Sequence, residues 1–253
     1  MPIDLNADLG EGFGVWRLGD DEALLDVVTS ANVACGFHAG DPVTMRRVCA
    51  AAAGRGVAIG AQVGYRDLAG FGRRRLDIAA DELSADVLYQ LGALDACAVA
   101  GGSRVRYVKP HGALYNTAAD DPGQAAAVVE AVAAYDDTLP VLGLPGSALA
   151  DAAGAAGVPF VAEAFADRGY LATGRLAPRG TDGAVLTDVP AVVERALGLA
   201  VDGRVTALDG APVEVAPASL CLHGDTPGAV DLARAVRTAL SDAGVALAPF
   251  AGP

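Results

Sequence analysis

The chain has 253 residues and a formal net charge of −13, from 18 basic and 31 acidic residues. This acidic excess excludes a protein that binds nucleic acid or an anionic membrane through a broad basic surface. Hydrophobic residues make up 53% of the chain, which is enough for a sizeable core and too much for a disordered protein. The length suits one α/β barrel, so we expect a single domain over residues 1–253.

The sequence gives no sign of a targeting segment or a membrane span. The N-terminus has no basic region followed by an apolar run, and no apolar stretch approaches the roughly 20 residues that a spanning helix needs. The four cysteines form no Cys-x-x-Cys pair, and Cys35 and Cys221 are interpreted as small buried hydrophobic residues. We therefore expect a cytoplasmic protein without membrane or nucleic-acid partners.

Short β-like runs alternate with helical runs along nearly the whole chain, which predicts a parallel sheet. Two helix starts carry an Asp-Pro pair, Asp41-Pro42 and Asp121-Pro122, as an N-cap and first helical residue do. Gly54, Gly101 and Gly244 follow helical stretches, as C-cap glycines do. The predicted strands are 2–6, 31–35, 57–63, 104–109, 139–144, 158–162 and 218–222. The predicted helices are 20–28, 42–54, 84–100, 122–135, 147–156, 189–201 and 228–243.

Polar side chains follow the predicted strands and do not precede them. If all these strand ends face one way, they form the rim of a (β/α) barrel, whereas an open doubly wound sheet would gather fewer of them. The 203–217 segment resembles a small hairpin, so strict βα repetition lapses there. The fold class predicted is α/β, a distorted barrel of the TIM type.

The rarest reactive side chains all lie at such strand ends. The chain has three histidines, His38, His111 and His223, and a single lysine, Lys109. Lys109 and His111 lie on one side of an extended segment stiffened by Pro110, and this pairing suits oxyanion stabilisation combined with proton transfer. Scarce reactive groups at three strand ends predict one active site assembled from distant parts of the chain.

Other segments admit a functional and a plain structural interpretation. Asn6, Asp8 and Glu11 follow the first predicted strand, either as site residues or as an Asx-rich turn with solvated carboxylates. The 163–179 segment is either a lid over a ligand or a solvated loop. Asp41 is interpreted as a helix cap, and Asp225 either orients His223 or faces the ligand.

Together these segments resemble the LamB/YcsF family, to which the A component of 5-oxoprolinase belongs. The resemblance covers essentially the whole chain in order. It rests on Ile3-Asp-Leu-Asn-Ala-Asp-Leu-Gly-Glu11, Ser30-Ala-Asn-Val-Ala-Cys-Gly-Phe-His-Ala-Gly-Asp41, Val108-Lys-Pro-His-Gly-Ala-Leu-Tyr-Asn116, Phe165-Ala-Asp-Arg-Gly-Tyr170 and Cys221-Leu-His-Gly-Asp225.

The resemblance implies a barrel of the glycoside hydrolase/deacetylase type. It also implies ATP-dependent opening of 5-oxoproline to glutamate, with partner subunits B and C, ATP as cosubstrate and Mg²⁺ accompanying ATP. Members of the family commonly carry Gly-Ala-His-Pro where this chain has Gly60-Ala-Gln-Val63. An amide is a poor ligand for a transition metal and does not take up a proton as imidazole does, so no metal is assigned.

We expect this chain to perform the hydrolytic half of the reaction, because no nucleotide-binding motif is present. Lys109 would hold a phosphate or oxyanion, and His111 or His38 would act as general base. Arg168 and Arg179 would clamp the substrate carboxylate. The alternatives are a metal-dependent amidohydrolase or deacetylase, a non-catalytic carrier of a small anionic metabolite, and, more distantly, a lysine Schiff-base enzyme. The predicted catalytic residues are Asp8, Glu11, His38, Lys109, His111 and His223; the predicted substrate-binding residues are Asn6, Gln62, Asn116, Glu163, Arg168, Arg179 and Asp225.

Overall fold

A computed structural model describes residues 2–225 and 228–252. Seven parallel strands close into a barrel in which the last strand pairs with both the first and the sixth. A separate antiparallel hairpin consists of β7 (Arg204–Thr206) and β8 (Pro212–Glu214). The barrel strands are β1 (Asp4–Leu9), β2 (Ser30–Ala34), β3 (Ala58–Val63), β4 (Val105–Pro110), β5 (Val141–Gly143), β6 (Phe160–Phe165) and β9 (Ser219–Leu222).

Eight α-helices in the described part of the chain connect and surround these strands. Most cross from the carboxyl end of one strand to the amino end of the next, as a parallel barrel requires. A π-helical turn, Gly198–Asp202, continues the seventh helix. The helices are α1 (Asp21–Leu25), α2 (Pro42–Arg55), α3 (Ala80–Ala100), α4 (Gly112–Asp120), α5 (Pro122–Asp136), α6 (Ala148–Ala156), α7 (Val189–Leu197) and α8 (Ala229–Asp242).

The predicted barrel and the 203–217 hairpin are confirmed, and the seven predicted strands and seven predicted helices are all present with shifted ends. Strand β1 extends to Leu9 where 2–6 was predicted, so Asn6 and Asp8 lie inside a strand and not in a turn after it. Helix α4 was missed because the Pro110–Gly112 turn dominates the local pattern. Gly54 lies inside α2, and the left-handed cap is Gly56 at φ 68°.

The helix N-caps predicted at the two Asp-Pro pairs are confirmed. Asp41 accepts hydrogen bonds from the backbone N–H groups of Val43 and Thr44, at 2.8 and 3.1 Å, and Pro42 is the first residue of α2. Asp121 caps α5 in the same way. Because Asp41 is committed to these helix donors, it is a structural residue, as expected.

Helix α3 has the length and apolar composition of a membrane span, a feature that the sequence reasoning did not anticipate. Its Leu83, Val87, Leu91 and Leu94 are fully buried against the rest of the protein. Its Gln90 side chain accepts from the backbone N–H of Gly64 and donates to the Gly64 carbonyl. Helix α3 therefore belongs to the outer layer of helices and packs its apolar face against the protein core.

The interior of the barrel is polar, whereas the space between strands and helices is apolar. Leu5, Ala7 and Leu9 of β1 are buried in the main hydrophobic core. The alternate residues of the same strand, Asp4 and Asn6, bond to side chains of other strands inside the barrel. A closed interior of hydrogen-bonded polar groups fixes side-chain positions tightly, because each group left unpaired there would cost about 1–3 kcal/mol.

Candidate functional site

A cavity of about 670 Å³ opens at the carboxyl ends of the barrel strands. This is the end of a parallel barrel at which loops assemble active sites. The predicted site residues divide between the cavity wall and the layer behind it. Those on the wall are Asp8, Lys109, His111, Asn116, Arg168, Arg179 and His223. Those not on the wall are Asn6, Glu11, His38, Gln62, Glu163 and Asp225.

Lys109 projects from β4 into the barrel and reaches four side chains from other strands. Its Nζ lies 2.7 Å from Glu163 Oε1, 3.1 Å from Cys221 Sγ, 3.3 Å from Asn6 Oδ1 and 3.5 Å from Asp8 Oδ1. Burial lowers the lysine pKa, but the surrounding acidic groups outweigh it and raise the pKa well above its ordinary value. Lys109 is therefore a permanently charged ammonium with its donors committed to protein groups.

Asp8 is the acidic partner of Lys109 that lies on the cavity wall. Burial favours its protonated form, but the charges of Lys109, His223 and His111 prevail and hold its pKa below the ordinary range. Asn32 donates to Asp8 Oδ1 at 2.9 Å and to Asn6 Oδ1 at 2.7 Å. Asp8 thus remains ionised and is fixed in direction by charged and amide donors.

The Glu163 carboxylate is the innermost acidic group of this cluster. It accepts from both Lys109 and Asn6, at 2.7 and 3.0 Å, and is fully buried. Burial raises its pKa more than Lys109 lowers it. Its contacts are with protein groups of the barrel interior, so it shapes the Lys109 environment from behind the cavity wall.

His223 is held by a carboxylate that the sequence reasoning did not choose. Its Nδ1 lies 3.0 and 2.9 Å from the two oxygens of Asp167, and its backbone N–H donates to Asp167 Oδ2 at 3.0 Å. Asp225, the residue proposed for that role, instead pairs with Arg73 at 2.8 Å. Burial raises the pKa of Asp167, but His223 outweighs it and lowers the pKa, so the carboxylate stays ionised.

His38 and His111 form a stacked pair in which His111 is on the cavity wall and His38 lies behind it. Their ring centroids are 3.9 Å apart with an interplanar angle of 12°. Burial lowers the pKa of His38 to about 4, and burial together with His38 lowers the pKa of His111 well below its ordinary value. Gly72 closes over both rings at φ 63°, where an added Cβ would lie 2.7 Å from His38 Cβ. Both imidazoles are therefore neutral and tightly enclosed.

Glu11 completes this group, with Oε1 lying 3.7 Å from His111 Nε2. Burial, Asp8 and Asp225 all raise its pKa well above the ordinary value. Glu11 therefore holds its proton more tightly than an ordinary carboxyl group does, and it lies next to the neutral His111 of the cavity wall.

Glu11, His38 and His111 place one potential ligand atom each within 4.8 Å of one another. Two imidazoles and a carboxylate are a chemically suitable donor set for zinc. An imidazole binds a metal through a lone pair in its ring plane, at about 2.0–2.1 Å. The two ring planes are nearly parallel and stacked, so no single ion can lie in both at that distance. The arrangement does not fit a shared metal.

Gln62 occupies the position at which the resemblance implies a histidine. Its Oε1 lies 3.3 Å from His38 Nε2, and it is fully buried. An amide oxygen accepts and cannot donate, so this contact assigns the His38 proton to Nε2. Gln62 thus fixes the tautomer of His38 and does not face the cavity.

The arginines predicted as a carboxylate clamp differ from each other in the structure. Arg168 donates through Nε to the Ala184 carbonyl at 2.9 Å and through Nη2 to the Ala177 carbonyl at 2.6 Å, bracing the loop after β6. Arg179, on the same loop, makes no hydrogen bond or ion pair within residues 2–225 and 228–252. Asn116 lies on α4 and donates to the Gly112 carbonyl at 2.9 Å.

Several residues that organise the site were not chosen from the sequence. Asp167 lies within the Phe165–Tyr170 string, and only its distance to His223 identifies it. Asn32 lies in β2, where its side chain accepts from the Tyr107 hydroxyl at 2.6 Å. Arg73 is in a loop of four nearby arginines, with no local pattern to separate it from the others.

The whole chain matches a known family and named relatives. The model of the LamB/YcsF family matches residues 3–253. A protein of Streptomyces avermitilis, named as the A component of 5-oxoprolinase, is 65% identical over 249 residues, covering 98% of this chain and 100% of the relative.

Solved structures agree with the fold described above. The crystal structure of the lactam utilization protein from Thermus thermophilus superimposes with a TM-score of 0.94 at 46% identity, over 99% of this chain and 100% of that one. The Bc1960 peptidoglycan N-acetylglucosamine deacetylase has a TM-score of 0.50 at 11% identity, over 98% of this chain and 86% of that one. The second likeness shows the fold alone and confirms the predicted deacetylase-type barrel.

Proposed function

This chain belongs to the LamB/YcsF family, and from that premise we propose that it is the A component of a 5-oxoprolinase. The overall reaction is the ATP-dependent opening of 5-oxoproline to L-glutamate. The near full-length identity with proteins named as that component supports this assignment. The cavity supports it independently, because it combines a carboxylate-bound histidine with a buried ammonium and an ionised aspartate.

We assign this chain the hydrolytic half of the reaction. A lactam is a stabilised amide, and phosphorylation of its oxygen creates a better electrophile. The sequence has no phosphate-binding glycine loop, so phosphorylation by ATP with Mg²⁺ belongs to the partner subunits B and C. This chain then receives the activated lactam and adds water to it.

The observation that carries the mechanism is the Asp167–His223 dyad. His223 is on the cavity wall, and Asp167 fixes the Nδ1–H tautomer, leaving Nε2 as the basic nitrogen. Nε2 takes a proton from water while the water oxygen bonds to the lactam carbon. The buried, ionised Asp167 stabilises the imidazolium that forms, as the carboxylate of a catalytic triad does. This arrangement favours His223 as the base over His38 and His111, which lack such a partner.

Lys109 and Asp8 provide the electrostatic setting of that step. The ammonium is at the cavity wall, but Glu163, Cys221, Asn6 and Asp8 surround its donors. It therefore stabilises developing negative charge through its field more than through a direct hydrogen bond. Asp8, ionised and on the wall, orients the attacking water.

The ring nitrogen takes a proton when the carbon–nitrogen bond of the hydrated intermediate breaks, which leaves an acyl phosphate. Glu11 and the neutral His111 offer a route for this proton, because Glu11 lies behind His111 and His111 is on the cavity wall. We assign to this pair the acid that protonates the leaving nitrogen. A second water then attacks the carbonyl carbon of the acyl phosphate and releases inorganic phosphate and glutamate.

The deacetylase and the carrier are both weaker candidates on these observations. A metal-dependent deacetylase needs a shared ion, which the stacked His38 and His111 rings do not fit. A carrier without turnover was suggested by Gln62, but Gln62 lies behind the cavity wall. A carrier without turnover also does not account for the Asp167–His223 pair.

The experiment that tests the proposed function measures glutamate formed from 5-oxoproline and ATP. It uses this chain alone, its candidate B and C subunits alone, and the full mixture. We expect glutamate only in the full mixture, and its loss when this chain carries His223→Ala. Glutamate production that survives His223→Ala undiminished would contradict the base assignment. No glutamate in the full mixture of folded proteins would contradict the function itself.

A further inference from the structure

The cavity is strongly cationic although the protein as a whole is acidic. Its volume of about 670 Å³ lies in the range, roughly 300–1,000 Å³, of pockets that hold drug-sized ligands, larger than a small lactam requires. Two carboxylates line it, Asp8 and Asp120. Six cationic side chains line it: Arg73, Arg75, Lys109, Arg168, Arg175 and Arg179.

Most of these cations are already paired with protein groups. Arg175 binds Asp120 at 2.8 Å, and Arg75 binds Asp121 at 3.3 Å. Arg168 donates two hydrogen bonds to loop carbonyls, and the Lys109 ammonium is enclosed in the barrel interior. Lys109, Arg168 and Arg175 therefore keep little capacity to bind a second anionic group. The Arg75 side chain makes one contact but is 68% exposed, so solvent screens its attraction for an anion.

Arg73 and Arg179 are the exceptions. Arg73 uses only Nη2, which lies 2.8 Å from Asp225, and its guanidinium stacks over the Phe71 ring at 4.8 Å. A guanidinium has five donors, so stacking leaves most of those in its plane free. Arg179 has no hydrogen-bonding or ion-pair partner among the described residues. Burial and the charge of Arg73 lower its pKa more than the more distant charges of Asp225, Asp167 and Asp8 raise it.

These two arginines lie on different loops at the same mouth. Arg73 belongs to the loop after β3 and Arg179 to the loop after β6. The Arg73–Asp225 pair extends across to the loop that follows His223, so Arg73 is tied to the strand end that carries the base. Two like charges held together without a full set of counter-charges cost free energy that a bound anion would recover.

We propose that Arg73 and Arg179 form a binding subsite for a phosphoryl group carried on the substrate. The inference rests on the proposed function and specifies its ligand: the molecule that this cavity holds is the phosphorylated lactam, not the free one. A phosphoryl dianion accepts paired hydrogen bonds from guanidinium forks, which is the recognition that free arginine donors suit. Arg179 is thereby assigned to the phosphoryl group and not to the carboxylate.

The first test is titration calorimetry of this chain with inorganic phosphate. We expect saturable binding that weakens at least about tenfold in Arg73→Met and in Arg179→Met, since each loses charge-assisted hydrogen bonds to the phosphate. Arg73→Lys keeps the charge but loses the guanidinium fork, so its affinity for phosphate should lie between those of the wild type and Arg73→Met. Arg204→Met is the matched control, because Arg204 lies on β7, outside the cavity, and pairs with Glu214. Absent phosphate binding to the wild type, or unchanged binding in both Met variants, would overturn the proposal.

A second titration separates a substrate phosphoryl group from a nucleotide. ATP should bind no more tightly than inorganic triphosphate, because the proposed subsite recognises phosphoryl oxygens and no base. Much tighter ATP binding that depends on both arginines would overturn the proposal in favour of a nucleotide pocket.

The full mixture with subunits B and C shows whether this chain binds the phosphorylated lactam and converts it to glutamate. If the subsite holds the phosphorylated lactam, Arg73→Met and Arg179→Met should raise the ratio of ADP formed to glutamate formed severalfold, while Arg204→Met leaves it unchanged. An unchanged ratio in all three variants, with wild-type glutamate production intact, refutes the subsite and leaves the proposed function standing. If the wild type forms no glutamate, the proposed function fails and the phosphate titration still decides the subsite.

Discussion

Asp167 holds the His223 imidazole through both carboxylate oxygens, which lie 3.0 and 2.9 Å from Nδ1. The aspartate follows β6 and the histidine follows β9, and these two strands are paired in the barrel. Their adjacency in the sheet places an acid and a base, more than 50 residues apart in the chain, in direct contact. The same relationship makes His223 the best-oriented base in the cavity.

Asp167→Asn should lower kcat for glutamate formation by on the order of 10²–10⁴-fold, the usual contribution of an oriented general base. An amide next to Nδ1 would favour the wrong tautomer and would not stabilise imidazolium. The double variant Asp167→Asn, His223→Ala should be no slower than His223→Ala, because the pair acts as a unit.

Asp225→Asn is the matched control for that comparison. Asp225 pairs with Arg73 and not with His223, so its effect should fall mainly on KM. A larger kcat loss in Asp225→Asn than in Asp167→Asn would contradict the assignment of the dyad.

The free energy of unfolding of Lys109→Met, measured by urea denaturation, should be about 3–5 kcal/mol lower than that of the wild type. The ammonium lies among Glu163, Asp8 and other polar groups in a closed interior. Its removal leaves buried carboxylate charge uncompensated.

Adding Glu163→Gln to Lys109→Met should recover part of the lost stability. The second substitution removes one uncompensated charge and keeps the shape of the side chain. Full stability in Lys109→Met alone would show that the charge network contributes little to the fold.

Stability should fall as the pH drops from 6.5 towards 4, in part because of His38. Its pKa is about 4 in the folded protein and near 6.5 when unfolded, so between these values the unfolded chain binds the extra proton. The contribution is fully present above 6.5, is lost progressively below it, and is on the order of 3 kcal/mol.

Urea unfolding of the wild type and His38→Gln at pH 7 and pH 4.5 measures this contribution. The variant should show a smaller loss of stability between the two pH values. Burial raises the pKa of Glu11, so Glu11 changes the pH dependence of stability in the opposite direction. This contribution is the same in the wild type and in His38→Gln, so it cancels when the two proteins are compared at the same pH. Equal pH dependence in the two proteins would exclude a buried neutral His38.

Metal removal should leave the chain's contribution to glutamate formation unchanged. Protein purified without chelator should contain no stoichiometric transition metal, because the parallel His38 and His111 rings cannot bind one ion together. Elemental analysis before and after chelator treatment checks this, with Mg²⁺ restored for ATP. Stoichiometric zinc that disappears in His111→Ala would overturn it.

The barrel could be predicted from the chain because its evidence is local. Alternating apolar runs, the Asp-Pro caps at Asp41 and Asp121, and polar residues after each run are patterns of near neighbours. The end of β1 could not be placed, because Asn6 and Asp8 look like turn residues until Asn32 and Lys109 pair with them. A buried polar strand residue is indistinguishable from a solvated one without its partners.

Three features follow from the amino-acid sequence alone: the alternation of strands and helices, the segments that resemble the LamB/YcsF family, and the gathering of the histidines and Lys109 at one end of the barrel. The folded structure was needed to show which carboxylate binds His223, which histidines are neutral and stacked, and which arginines keep free donors. Those outcomes depend on distances between strands and loops far apart in the chain. Hydrogen-bond geometry and burial change a side chain's chemistry over a few ångströms, and residue spacing along the chain does not encode such distances.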